Sequence, residues 1–487
     1  MTEPSLRRRL GGLLAPAAFL AILLLPFPAL SPEAHRLAAV MAAVIVLWVT
    51  ETLPLPVTAL AGASACVLLG VAPAKAVFAP FADPLMFLFI GAFILARAIF
   101  LHGLDRRLAY FVLSLPWVGA RPARILLAFG AATAMISAWI SNTATTAMMF
   151  GIGMSILAAL RSPGAPVSID PRYATALMLM TSFAASIGGL ATPVGTPPNL
   201  IGIGFIRAQA GVEIPFFRWM LIGVPVVLVL FAFLYVYLAA VGPAGVKELP
   251  SGVELIRRER ERLGPWTRGQ RSVALAFGGT VALWIFPGIV ALVAGESSAA
   301  YQALSRHLPE GVAALIGATA LFLLPGKDGP AITWREAVEI DWGVVLLYGG
   351  GFALGVLSFQ TGLAEALGRS LTQLLPIEGS FGLLVASVVL ATVLSETTSN
   401  TASANMVVPV VISIARAAGM DPLEPALGAT MGSSLGFMLP VSTPCNAIVY
   451  GSGLIPLGRM IRWGFALDIA GIVVIVAFVR GLSHLIR

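Results

Sequence analysis

The sequence predicts an all-α polytopic membrane protein of inverted-repeat architecture, with two re-entrant helical hairpins, two broken helices and about eleven transmembrane helices. Three observations predict it. Of 487 residues, 58% are hydrophobic and only 11% charged, with a mean hydropathy of +0.93, against roughly a quarter charged in a soluble protein. The apolar runs reach the ~20 residues of a spanning helix instead of alternating over ~10, which excludes a β-barrel. The third is a polar interruption written twice, Ser141-Asn142-Thr143 and Ser399-Asn400-Thr401, each inside a long apolar segment and each with a serine four residues upstream, Ser137 and Ser395.

The first half offers spans at 11–30, 36–53, 55–73 and 84–102. Arg7-Arg8-Arg9 precede the first of these, which is too long for a signal peptide's apolar core and reads as a retained helix. Two arms, 122–139 and 144–160, flank the first triplet, followed by 173–190, a broken stretch to 199, a continuation to 208, and 216–242. Lys247 to Arg271 is polar and arginine-rich and separates the halves, its arginines reading as a solvated or lipid-headgroup face. The second half offers 271–291, 311–325, 342–361, arms at 379–396 and 402–418, then 423–440, a broken stretch to 446, and 463–482.

The halves match beyond the triplets. Gly91-Ala92-Phe93-Ile94-Leu95 resembles Gly350-Gly351-Phe352-Ala353-Leu354, and Gly103-Leu104 resembles Gly362-Leu363. Pro193-Val194-Gly195-Thr196-Pro197-Pro198-Asn199 matches Pro440-Val441-Ser442-Thr443-Pro444-Cys445-Asn446, differing only where Ser442 faces Gly195 and Cys445 faces Pro198. The same features recur in the same order, which implies a duplication. The organisation expected is scaffold helices over 1–83, a first repeat over 84–208, scaffold helices with a cytoplasmic loop 243–270 over 209–340, a second repeat over 341–455 and a last helix over 456–487.

Basic residues orient the chain. With a cytoplasmic N-terminus, the inside acquires Arg7, Arg8, Arg9, Arg106, Arg107, Arg121, Arg124, Arg161, Arg172, the 247–271 segment, Lys327, Arg335, Arg459 and Arg462. The outside keeps Arg36, Lys75, Arg207, Arg218, Arg306, Arg369 and Arg416. This asymmetry satisfies the positive-inside rule only if each triplet is the tip of a hairpin that enters and leaves on one side.

A run such as Thr192-Pro193-Val194-Gly195-Thr196-Pro197-Pro198 cannot stay helical, because proline lacks the amide donor and clashes with the preceding turn. Non-helical backbone at membrane depth persists only where it is buried in protein or lines a cavity. Each half therefore supplies hydroxyls, amides, free carbonyls and half-helix ends. Helix N-termini favour anions, and unwound carbonyls with hydroxyls suit a hard cation such as Na⁺. Neither motif contains Lys or Arg. An anion held there would need a co-bound cation, which is a physical reason for coupling. Glu396 is the one acidic residue beside a tip and reads as a hydrogen-bonding group, while Asp83 and Asp341 read as helix starts. Cys66 and Cys445 stand alone in apolar context, and four scattered histidines build no metal site. No cofactor, nucleophile–base pair or basic nucleic-acid-binding domain is legible. Opposed tips suit an occluded central site better than a channel's continuous pore.

The two triplet tips, the two proline-rich stretches ending in Asn and the paired halves resemble the divalent anion/sodium symporter (dicarboxylate transporter) family over nearly the whole chain. The resemblance implies a homodimer in a bacterial inner membrane, each protomer carrying a small divalent anion by an elevator movement with Na⁺ as the coupling ion. It implies substrate contacts from Ser141, Asn142, Thr143 and Thr196 in one half and Ser399, Asn400, Thr401 and Thr443 in the other. It implies one Na⁺ site at Ser137, Ser141, Asn142 and Gly195 and another at Ser395, Thr398, Asn400 and Ser442. A C4-dicarboxylate such as succinate is the expected substrate; exchange without a cation, and Na⁺-coupled citrate or sulfate transport, are the alternatives the family allows. Thr398, Ser442 and Cys445 depart from the residue types the family pattern leads one to expect.

Overall fold

The computed structural model describes residues 6–161, 169–374 and 379–486, without the side chains of Arg161 and Leu374; the orienting charge of Arg161 therefore lies outside the described residues. Among those residues all regular structure is helical, apart from one isolated bridge between Pro325 and Pro330. Eight described helices are long and apolar enough to cross a membrane, and three shorter apolar helices, Leu55–Leu68, Pro122–Ser137 and Glu310–Leu323, accompany them. The chain is an integral, multi-pass membrane protein.

The two halves use the same parts in the same order. Pro84–Leu101 corresponds to Trp342–Gln360. Each is capped by an aspartate, Asp83 accepting from the Leu85 amide at 2.9 Å and Asp341 from the Val344 amide at 3.2 Å. Both sequence-predicted helix starts are where they were expected. Each helix is followed by a glycine in the left-handed region, Gly103 at φ 62° and Gly362 at φ 80°, which reverses the chain into a short helix, Leu104–Leu113 or Leu363–Leu374. Next come the helix–break–helix units. Pro122–Ser137 and Asn142–Arg161 flank the first triplet, and Gly379–Thr397 and Asn400–Ala417 flank the second.

Pro171–Gly188 is the central pillar. Every residue from Tyr173 to Gly188 is buried. Its Gly188 packs so closely on the first helix–break–helix unit that a methyl group there would collide with the backbone of Ala134. Beyond it the chain is unwound up to Pro197–Phe205, and in the second half it is unwound between Leu423–Gly432 and Pro444–Tyr450. The long helices Phe216–Val241 and Leu457–Leu482 complete the two sets.

Three sequence expectations need correction. The first helix covers Leu6–Leu24 and not 11–30, because Pro26 and Pro28 deny it amide donors and its arginine-bearing turn is itself helical. The expected span 423–440 is helical only as Leu423–Gly432; the chain then unwinds earlier than its apolar composition suggests. The polar 247–271 connection contains a helix, Pro250–Arg262, stitched by Glu254–Arg258 and Glu259–Arg262 pairs one turn apart. It is docked by the Arg106–Glu259 ion pair at 3.0 Å and by the Leu249 amide on the Ala120 carbonyl at 2.7 Å.

Candidate functional site

The two breaks and the two unwound stretches meet. A cavity of about 360 Å³ is lined by Ser141, Asn142, Thr143 and Thr196 from the first half and by Ser399, Asn400, Thr401 and Thr443 from the second. All eight residues expected to contact an anion therefore share one space. Four helices begin at its wall, at Asn142, Pro197, Asn400 and Pro444. The helices at Asn142 and Asn400 point unpaired backbone amides and the positive ends of their dipoles at this volume, whereas the one at Pro197 opens with two prolines and its first amide, that of Asn199, bonds to the Thr196 carbonyl at 3.2 Å. The hydroxyls of Ser399 and Thr196 sit at the N-cap position without capping their own helix, so they remain free to face the cavity. Thr443 caps its helix through the Asn446 amide at 3.1 Å. No arginine or lysine is among the lining residues.

The unwound stretches are held open by one device used twice. Asn199 Nδ2 donates to the carbonyls of Gly189 at 2.9 Å and Thr192 at 2.8 Å. Asn446 Nδ2 donates to Gly436 at 3.0 Å and Leu439 at 2.9 Å. Carbonyls freed by the missing helical turns are thus satisfied from within, as buried backbone requires. Ser182 donates to Asn446 Oδ1 at 2.6 Å and so ties the pillar of the first half to the break of the second.

Of the residues expected at the cation sites, Ser141, Asn142, Asn400 and Ser442 line the cavity, and Ser137, Gly195, Ser395 and Thr398 are buried behind its wall. Ser137 is fully buried, and its Oγ stands 2.8 Å from the side-chain oxygen position of Asn142. That same tip of the amide has the Ala185 carbonyl at 3.1 Å and the Gly195 carbonyl at 3.2 Å. If the nitrogen occupies that position, it donates to all three oxygens. If the oxygen does, four oxygens converge, which calls for a hard cation. With the oxygen turned that way the donor set fits Na⁺, and with the nitrogen there the same oxygens are satisfied without an ion. In the second half Ser395 Oγ lies 2.7 Å from Asn400 Oδ1 and donates to the Ser433 carbonyl at 2.8 Å. The Thr398 hydroxyl donates its proton to the Leu394 carbonyl at 2.9 Å, which turns it back along its own helix. Ser442 Oγ donates to Glu396, at 3.0 Å from its carbonyl oxygen and 2.5 Å from Oε2.

Comparisons with known proteins give the chain a family. The family model described as the sodium:sulfate symporter transmembrane region matches residues 8–484. The chain belongs to the sodium:sulfate symporter family. Among relatives in this family, the sodium-dependent dicarboxylate transporter SdcS of Staphylococcus saprophyticus is 34% identical over 481 residues, 96% of this chain and 90% of the relative. That of Staphylococcus aureus strain RF122 is 32% identical over 479 residues, again 96% and 90%. As a family member the chain is a transport protein and not an enzyme. Two solved transporters share its fold at low identity. MtrF of Neisseria gonorrhoeae has a TM-score of 0.54 at 10% identity, covering 98% of this chain and 95% of its own. The YdaH transporter of Alcanivorax borkumensis has a TM-score of 0.52 at 12% identity, covering 82% and 85%.

Other lining residues carried no signal in the sequence. Ser186 lies on the uninterrupted pillar helix, where nothing marks it against its neighbours. Cys445, read from sequence as a packing residue, lines the cavity while only 2% exposed. Leu55, Pro56, Val344 and Leu347 form an apolar wall, and Asp341 stands at its edge.

Proposed function

We propose that the protein is a secondary active transporter that couples Na⁺ to symport of a small divalent anion, a C4-dicarboxylate such as succinate. One observation carries the reading: both triplets and both unwound stretches line a single cavity that holds helix N-termini and hydroxyls but no fixed positive side chain. Donors of this kind stabilise two carboxylates in part only. The remainder of the compensation comes from cations behind the wall, so each ion favours binding of the other. The staphylococcal relatives, named sodium-dependent dicarboxylate transporters, support the choice of cation and substrate class.

In this reading Ser141, Asn142, Thr143 and Thr196 meet one carboxylate and Ser399, Asn400, Thr401 and Thr443 the other. One Na⁺ is held by Ser137, Ser141, Asn142 and the Gly195 carbonyl. A second is held by Ser395, Asn400, Ser442 and the Thr398 carbonyl. The helix–break–helix units are re-entrant hairpins of opposite orientation. Residues 84–208 and 341–455 move as the transport domain against scaffold elements in 1–83, 209–340 and 456–487. The protein works as a homodimer in a bacterial inner membrane, its N-terminus cytoplasmic. Purified protein in liposomes tests the reading: labelled succinate accumulates when an inward Na⁺ gradient is imposed. Equal uptake with K⁺ or choline in place of Na⁺ would refute it.

A further inference from the structure

The two half-sites are built alike but differ in charge. At the second, Glu396 is 3% exposed; its Oε1 accepts the Met438 amide at 2.8 Å and its Oε2 the Ser442 hydroxyl. The carboxylate of Asp468, on the helix Leu457–Leu482, lies against Glu396. Asp468 is also 3% exposed, and neither of its oxygens has a hydrogen-bond partner. No described arginine, lysine or histidine pairs with either acid. Two carboxylates side by side inside a membrane protein are costly unless something positive is shared between them.

The first half shows that the fold does not need them. Phe216–Val241 and Leu457–Leu482 are equally long, both start after a proline, and Arg218 and Gly223 of one correspond to Arg459 and Gly464 of the other. Each of these glycines allows its helix to touch the backbone of an unwound stretch. A methyl group at Gly223 would collide with the Leu190 carbonyl, and one at Gly464 with the Phe437 carbonyl. One turn on, Val227 stands where Asp468 stands. Across the breaks, Ala138 stands where Glu396 stands, and Gly195 where Ser442 stands. The same architecture closes in the first half on Val, Ala and Gly. The acids therefore serve something other than folding.

We infer that Asp468 and Glu396 hold a further Na⁺, additional to those at the two triplet half-sites. The donor set suits it. Asp468 supplies two oxygens that accept no well-formed hydrogen bond, with the Phe437 amide and the Glu396 carboxyl as their neighbours, Glu396 Oε2 supplies a third, and Ser442 Oγ, whose proton points to Glu396, a fourth. All are hard oxygen ligands, and the carboxylates carry the charge that a buried cation requires. Gly464 brings the Asp468 helix close enough for this. The inference rests on the reading of the chain as Na⁺-coupled, and it makes the second half-site the richer in cations.

Equilibrium binding of ²²Na⁺ to purified, monodisperse protein without substrate tests it, because the count needs no transport. Asp468→Asn and Glu396→Gln each bind one ion fewer per protomer than the wild type while still binding Na⁺. Asp468→Val, which writes the first-half residue into the second half, gives the same count with a side chain already tolerated at the equivalent position. Equal counts in wild type and in whichever of these variants remain folded would overturn the inference, assign the pair a shared proton, and leave Na⁺ coupling standing. A wild type that binds no Na⁺ would overturn the coupling reading and this inference together.

Discussion

Asn400 and Ser395 meet across the break between two helices, the side-chain oxygen of one 2.7 Å from the hydroxyl of the other. Asn142 and Ser137 do the same at 2.8 Å. Each asparagine thus begins a helix at the cavity while its side chain reaches back to a serine in the last turn of the preceding one. A single residue joins the anion space to the oxygen cluster behind it. Removing it strikes both.

Asn142→Ala and Asn400→Ala should each reduce Na⁺-driven succinate uptake by at least ~10-fold. A lost hydrogen bond to a charged group is worth ~1.5–3 kcal/mol, which is roughly 10- to 100-fold in affinity. Gel filtration should show both variants folded, since neither asparagine fills the core. Wild-type uptake in either would remove that residue from the site.

Asn446→Ala should act differently. Its amide satisfies two buried carbonyls, Gly436 and Leu439, and its loss leaves both unpaired at ~1–3 kcal/mol each. The expected outcome is a clear drop in melting temperature in detergent, matched by Asn199→Ala in the other half. A melting temperature unchanged within ~1 °C would mean that the stretch is held by other means.

The cavity offers a chemical probe. Cys445 lines it, whereas Cys66 is fully buried and is not among its lining residues. A small thiol reagent applied to the Cys66→Ala variant should modify Cys445, and succinate with Na⁺ should slow that modification at least ~5-fold, as site occupancy near saturation requires. Labelling indifferent to succinate would place the substrate elsewhere.

Asp105 sets a pH dependence away from the cavity. It sits in the short helix Leu104–Leu113, is 4% exposed, and desolvation by burial raises its pKa from 3.8 to about 6, against a smaller opposing pull from backbone amides and Arg106. A raised carboxylate pKa means that ionisation costs folded-state stability. Above about 6 the wild type carries that cost, and it regains stability as pH falls through 6 toward 3.8. Asp105→Asn should therefore be more stable than wild type at pH 8, by on the order of 3 kcal/mol and with a higher melting temperature, and lose the advantage near pH 4. Equal melting at both pH values would show the carboxylate to be solvated.

How much of this was legible follows from what each residue must do locally. The breaks could be read because Pro193, Pro197 and Pro440 withhold the amide donor that a helix continuing through them would need, and they stand in clusters with further prolines. The triplets could be read because polar side chains are conspicuous among apolar ones and these recur. Asp83 and Asp341 announced helix starts through a rule that needs only neighbours in the chain. Ser186 could not be found, since a serine on a continuous buried helix looks like any packing contact. Asp468 escaped for a related reason: its meaning comes from Glu396, which the fold alone brings to it. The helix Pro250–Arg262 escaped because its polar composition resembles a loop, and its helicity rests on ion pairs one turn apart and on docking to Ala120 and Arg106.

The central claim is that anion and cation share one site and need each other there. Titration of succinate into the purified protein, once in NaCl and once in choline chloride at equal ionic strength, tests it most directly. Binding should saturate in Na⁺ and weaken by ~10-fold or more in choline, the size of an ordinary coupling free energy. The same affinity in both salts would contradict it.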